Sequence, residues 1–145
     1  MILMQSRERY EAAKRRADDL VTAVSEATHR FLALRKITEE ARAAVQSATH
    51  SGVLQTAQGS LTKAERQAST AETALRQLRE LREKAEAARL DAEAELRRTE
   101  QREAALRNLL TRRRQALEAF KRPSWRENTG TQLLLTRRSS QGSEP

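Results

Sequence analysis

Cysteine is absent from the chain. That one absence excludes disulfides, thiolate metal sites, iron–sulfur clusters and cysteine nucleophiles together, and it is compatible with a reducing compartment. Aromatic residues make up 3% of the 145 positions and hydrophobic residues 37%, too little to fill a thick globular core. Runs of β-branched residues are nearly missing as well. So are long apolar stretches: Met1-Ile2-Leu3-Met4 gives way to Arg7 and Glu8, too soon for a signal-peptide core or a membrane span, so the chain reads as soluble and a cytoplasmic location is expected.

What fills the sequence instead is Ala, Leu, Glu, Arg and Gln, the residues that lose least side-chain freedom in a helix. The composition therefore points to long helices around a thin, elongated core. Twenty-eight Lys and Arg against 20 Asp and Glu give a formal charge of +8. Most of the basic residues are Arg, whose planar fork matches carboxylate or phosphate, so an acidic protein, a nucleic acid and an anionic membrane surface all suit the charge.

From Tyr10 onward, apolar residues recur at alternating steps of three and four: Tyr10, Ala13, Ala17, Leu20, Val24, Ala27, Phe31, Leu34, Thr38, Ala41, Val45 and Ala48. Thr38 alone breaks the apolar character, and charged residues occupy the positions between. This is a heptad seam on a helix expected over about residues 4–49. It stops near His50-Ser51-Gly52, and Gly59-Ser60 follows. Glycine closes helices by taking the left-handed conformation, which predicts a loop over 50–60. Thr62 and Glu65 then stand at capping-box spacing for a helix over 61–121.

The second seam runs through Leu61, Ala64, Ala68, Ala71, Leu75, Leu78, Ala85, Ala92, Leu96, Leu106, Leu110, Leu117 and Phe120. Arg82, Arg89, Thr99, Glu103 and Arg113 interrupt it, and Arg82 and Arg89 suggest contact with a third helix or an acidic partner. Glu80 with Lys84, Glu93 with Arg97 and Glu103 with Arg107 are spaced for ion pairs along the helix, each worth a few tenths of a kcal/mol. Pro123 stops the helix by lacking an amide and disfavouring helical geometry at Arg122. Residues 123–145 then read as a flexible tail.

The fold expected is all-α. At ~1.5 Å per residue the helices are on the order of 70 and 90 Å long, and two such helices joined by a short loop most simply fold back as an antiparallel coiled-coil hairpin over residues 1–122. A parallel dimer of extended chains has the same heptads, and Gly52 and Gly59 favour the hairpin. A turn centred near residue 55 sets Tyr10 across from a residue near 100. The second helix then extends past the first, carrying Leu106, Leu110, Leu117 and Phe120 together with Arg112, Arg113 and Arg114. Exposed Leu and Phe on a lone helix need cover, so a protein partner is expected there. Trp125, the only tryptophan, is a candidate anchor for the same partner.

No pattern for catalysis emerges. His29 and His50 have no ligand-spaced neighbour, and the sequence lacks a phosphate loop, zinc motif or nucleophile elbow, so neither an enzyme nor a bound cofactor or metal is expected. Thr111-Arg112-Arg113-Arg114 suits phosphate, but with one aromatic nearby and no recognition module, nucleic acid ranks below an acidic protein.

Leu3, Arg7, Glu8, Glu11, Ala12, Ala13, Leu20 and Ala23 at the start of the first helix resemble the opening of the FliJ/YscO family of bacterial type III export stalk proteins. The length, the lack of cysteine, the basic balance and the two unequal helices are similar to that family too. The resemblance implies a cytoplasmic hairpin that docks at an export ATPase ring, with residues 106–122 suited to that contact. A strut in another large assembly, cytoskeletal, ciliary or organellar, is the competing expectation.

Overall fold

The computed structural model describes residues 1–121. They form two α-helices, α1 over Ile2–Ser47 and α2 over Ser51–Lys121, with no strand among the described residues. The expected tail, 123–145, lies outside the described residues, as do Pro123 and Trp125. The chain divides into two units, Met1–Glu100 and Gln101–Pro145. The first holds α1 packed against residues 51–100 of α2; the second, over its described residues 101–121, is helix alone.

Within the first unit, burial repeats the spacing of the sequence. Every member of the first seam from Tyr10 to Ala48 is buried or half-buried, and the same three-and-four spacing reaches back to Leu3 and Ser6. In α2 the seam positions from Leu61 to Thr99 are buried or half-buried as well, Arg82 excepted. The core this makes is thin. Its buried apolar members are Ala17, Val24, Ala64, Leu75 and Ala85, and no large side chain among the described residues is fully enclosed. Small residues let the two backbones approach, and each contributes a modest area.

Two polar residues share that core. Thr38 donates its hydroxyl to the Leu34 carbonyl at 2.9 Å, which removes the cost of burying it. Ser6 Oγ lies 3.4 Å from Thr99 Oγ1. Thr99 already gives its one proton to the Glu95 carbonyl at 2.9 Å, so Ser6 is the donor of this long contact.

The expected loop over 50–60 is not there. α1 ends at Ser47, Ala48 turns to extended backbone, and α2 begins at Ser51, so the connection is a few residues long. No glycine of the described chain has a positive φ, and a Cβ added at Gly52 or Gly59 would meet nothing within 4 Å. Both lie on the open side of α2. Glycine in a helix costs about 1 kcal/mol relative to Ala. Half-burying Leu54 and Ala57, which continue the heptad backwards, offsets that cost at ~25 cal/mol per Å². The capping box is likewise absent: Thr62 donates to the Gln58 carbonyl at 3.0 Å inside the helix.

The shorter connection also moves the pairing. Arg9 Nη1 donates to Glu95 at 3.3 Å, Arg7 Nη2 to Glu100 at 3.4 Å, and Arg42 Nη2 to Glu65 at 3.2 Å. Tyr10 therefore faces the region of Glu95 rather than residue 100, a slide of about one helical turn.

Candidate protein-docking face

Residues 101–121 are a stretch of helix whose apolar side chains stand in solvent. Successive residues turn by about 100°, which gathers Leu106, Leu109, Leu110, Leu117 and Phe120 on one side of the helix. All are exposed, Leu110 at 65% and Phe120 at 93%. Arg113 sits among them, and Arg112 and Arg114 flank them, exposed as well. Six basic residues, Arg102, Arg107, Arg112, Arg113, Arg114 and Lys121, face two acidic ones, Glu103 and Glu118, across these residues. Arg107 Nη2 reaches Glu103 at 3.1 Å, a pair along the helix that leaves the strip strongly positive.

The structure thus gathers every proposed partner-binding residue on or beside one face, apart from Trp125, which lies outside the described residues. Apolar anchors ringed by Arg have the composition of an interface core and its rim. Its exposed Leu and Phe share one side of the helix instead of lying scattered singly, as exposed apolar residues on an ordinary surface do.

His29 and His50 are exposed, and among the described residues no group of three or more His, Asp or Glu converges on one point. Arg89, a seam position suspected of reaching a third helix, is engaged within the first unit. Its Nη2 lies 2.6 Å from Glu86 and its Nη1 3.5 Å from Glu93, which also takes Arg97 at 2.5 Å. The Arg89 hydrogen bond holds the Glu86 carboxyl below its ordinary range. The same bond, helped by the charge of Glu93, raises the Arg89 guanidinium above its own. Arg82 is exposed. Of the spaced ion pairs, those of Glu93 and Glu103 form, whereas none joins Glu80 to Lys84 among the described residues.

An open groove of about 570 Å³ runs beside the seam of the first unit, lined by Ala27, Leu34, Ala71, Ala74 and Leu78 between Arg30 and Arg66. Little in the sequence signals it. Its one legible signal is the small Ala74 flanking the seam, where a longer side chain would have filled the space.

No family model matches the chain, and neither a curated protein nor a solved structure matches it.

No helix among the described residues is long and apolar enough to cross a membrane. What the face at 101–121 offers chemically is burial of Leu and Phe with charge-assisted bonds from Arg around them.

Proposed function

We propose that this chain is a non-catalytic coiled-coil protein-interaction subunit that docks onto a protein partner through residues 101–121. In its most concrete form it is a cytoplasmic stalk for a bacterial type III export ATPase. The observation that carries the docking is the exposed run of Leu106, Leu110, Leu117 and Phe120 set among Arg112, Arg113 and Arg114. Truncating aromatic and Leu anchors in such a cluster costs more than trimming the rest of a contact surface.

An antiparallel coiled-coil hairpin is the reading of the first unit that its contacts support. The seams alternate by three and four, and the pairs Arg7–Glu100 and Arg42–Glu65 join the start of α1 to late residues of α2 and its end to early ones. A seven-residue repeat of this kind carries a gentle left-handed supercoil. The stalk form rests on the resemblance of the first helix to the FliJ/YscO family. The basic face within residues 106–122 suits the contact that this resemblance implies.

The test is capture from native bacterial extract with the full chain as bait, beside a variant with Leu110, Leu117 and Phe120 changed to Ser. The captured proteins are identified by mass spectrometry, and any captured ATPase is assayed with and without the chain. Capture of an export ATPase that the variant loses, with a changed hydrolysis rate, supports the stalk. Stoichiometric capture of structural proteins with no effect on hydrolysis moves the assignment to a strut. Equal capture by both baits removes the docking face.

A further inference from the structure

A row of charge runs beside each seam of the helix pair, one position past the second seam residue of every heptad. In α1 this row reads Arg7, Lys14, Val21, Thr28, Arg35 and Arg42; in α2 it reads Glu65, Glu72, Arg79, Glu86, Glu93 and Glu100, Arg79 alone breaking the acidic run. Arg7 meets Glu100 at 3.4 Å and Arg42 meets Glu65 at 3.2 Å. Apart from Arg79, the charged members of the two rows are therefore of opposite sign where the helices run side by side, which is how flanking charges select a partner and its direction.

Followed further along α2, the same row changes sign. After Glu93 and Glu100 it reads Arg107, Arg114 and Lys121. These three recur every seven residues, so the charges lie about 10.5 Å apart along one edge of the Leu106, Leu110, Leu117 and Phe120 face. All three are exposed.

We propose that residues 101–121 bind an amphipathic helix of an acidic partner, one with Leu or Ile in its seam and Glu or Asp at seven-residue spacing beside it. This rests on the docking reading above and adds the chemistry of the occupant. A second copy of the same stretch packed antiparallel sets Arg107, Arg114 and Lys121 against like charge, and in either direction it brings six basic residues against two acidic ones on each side, which opposes pairing. Nucleic acid satisfies the positive row but offers no apolar surface to cover Leu117 and Phe120, whereas an acidic helix satisfies both.

The experiment measures fluorescence anisotropy of two labelled synthetic peptides against the full chain at physiological salt. One peptide carries Leu at both seam positions of four heptads with Glu at the flanking positions; the other replaces each Glu by Lys. The Glu peptide is expected to bind about tenfold tighter or better. The variant R107E/R114E/K121E is expected to reverse the order of the two peptides. A control with the same change of net charge elsewhere, R15E/K63E/R76E, is expected to keep the wild-type order, and circular dichroism verifies that both variants are as helical as wild type.

Equal affinity for both peptides overturns the proposal, as does an unchanged order in the row variant or an equal loss in the control. A 20-base-pair duplex that binds tighter than the Glu peptide and is lost in the row variant overturns it in favour of nucleic acid. If the Leu110, Leu117 and Phe120 variant loses its captured partner while the two peptides bind alike, docking stands and the acidic row alone is rejected.

Discussion

Arg89 shows how a charged residue fits a position meant for an apolar one. Its side chain keeps 26% of its surface exposed, and Glu86 and Glu93 take its guanidinium on the solvent side. Because the fold depresses the Glu86 carboxyl, its contribution to stability is present above the ordinary carboxylate range and is lost as pH falls through the lowered value. Carboxylate titration by carbon NMR is expected to show Glu86 below that range, and Arg89→Gln to return it. The site is open to solvent, so the effect on overall stability is small and shrinks with salt. Leu75 is the opposite case, at 3% exposure the most buried leucine in the structure. Leu75→Ala is expected to cost about 2–3 kcal/mol by urea unfolding, the lower part of the range for core leucines, because a thin core collapses readily around the gap. Arg82→Leu, at an exposed seam position, should raise the unfolding free energy by up to ~1 kcal/mol in the same experiment.

Between elements the sequence was legible where long-range packing and local preference agree. The first seam, from Tyr10 to Ala48, was readable because burial on one side of a helix demands that spacing and little else in the sequence competes. The turn was misread for the converse reason. Gly52 and Gly59 signal a loop locally, yet Leu54 and Ala57 already occupy seam positions, and burial against α1 decided the outcome. Gly59→Ala discriminates these accounts: in a helix with open space around it the change stabilises by about 0.5–1 kcal/mol in thermal unfolding, whereas a left-handed loop glycine would lose stability on the same substitution. The exposure of Leu106, Leu110, Leu117 and Phe120 beside Arg112, Arg113 and Arg114 is legible from the sequence, since both residue types stand out on a single helix. The groove beside Leu34 and Leu78 was not, because its size depends on how far apart two helices lie, a distance that no local pattern encodes.

For the molecule as a whole, the docking proposed for 101–121 gives its charge and its apolar area separable kinetic roles. In the proposed complex, positive charge guides approach and buried anchors hold the two together once formed. With the captured partner immobilised, Arg112→Ala with Arg114→Ala is expected to slow association several-fold, an effect that fades as salt rises. Leu117→Ala with Phe120→Ala is expected to speed dissociation at least tenfold at any salt. If both pairs act only on association, the anchors are not buried in the complex.

The nesting of cross-helix pairs sets the order in which the first unit forms and comes apart. Arg42 and Glu65 close a short loop of chain, while Ser6 and Thr99 enclose nearly all of it. Once the innermost pair is made, each later one needs only a local step, so closure entropy is met in small instalments rather than at once. Opening runs the other way, from the Ser6 end inward. Amide exchange should accordingly be fastest near Ser6 and Thr99 and slow progressively toward Thr38 and Ala68. Pulled by its two ends, such a unit yields at low, steady force like a zip fastener, where a sheet sheared along its strands would hold and then snap.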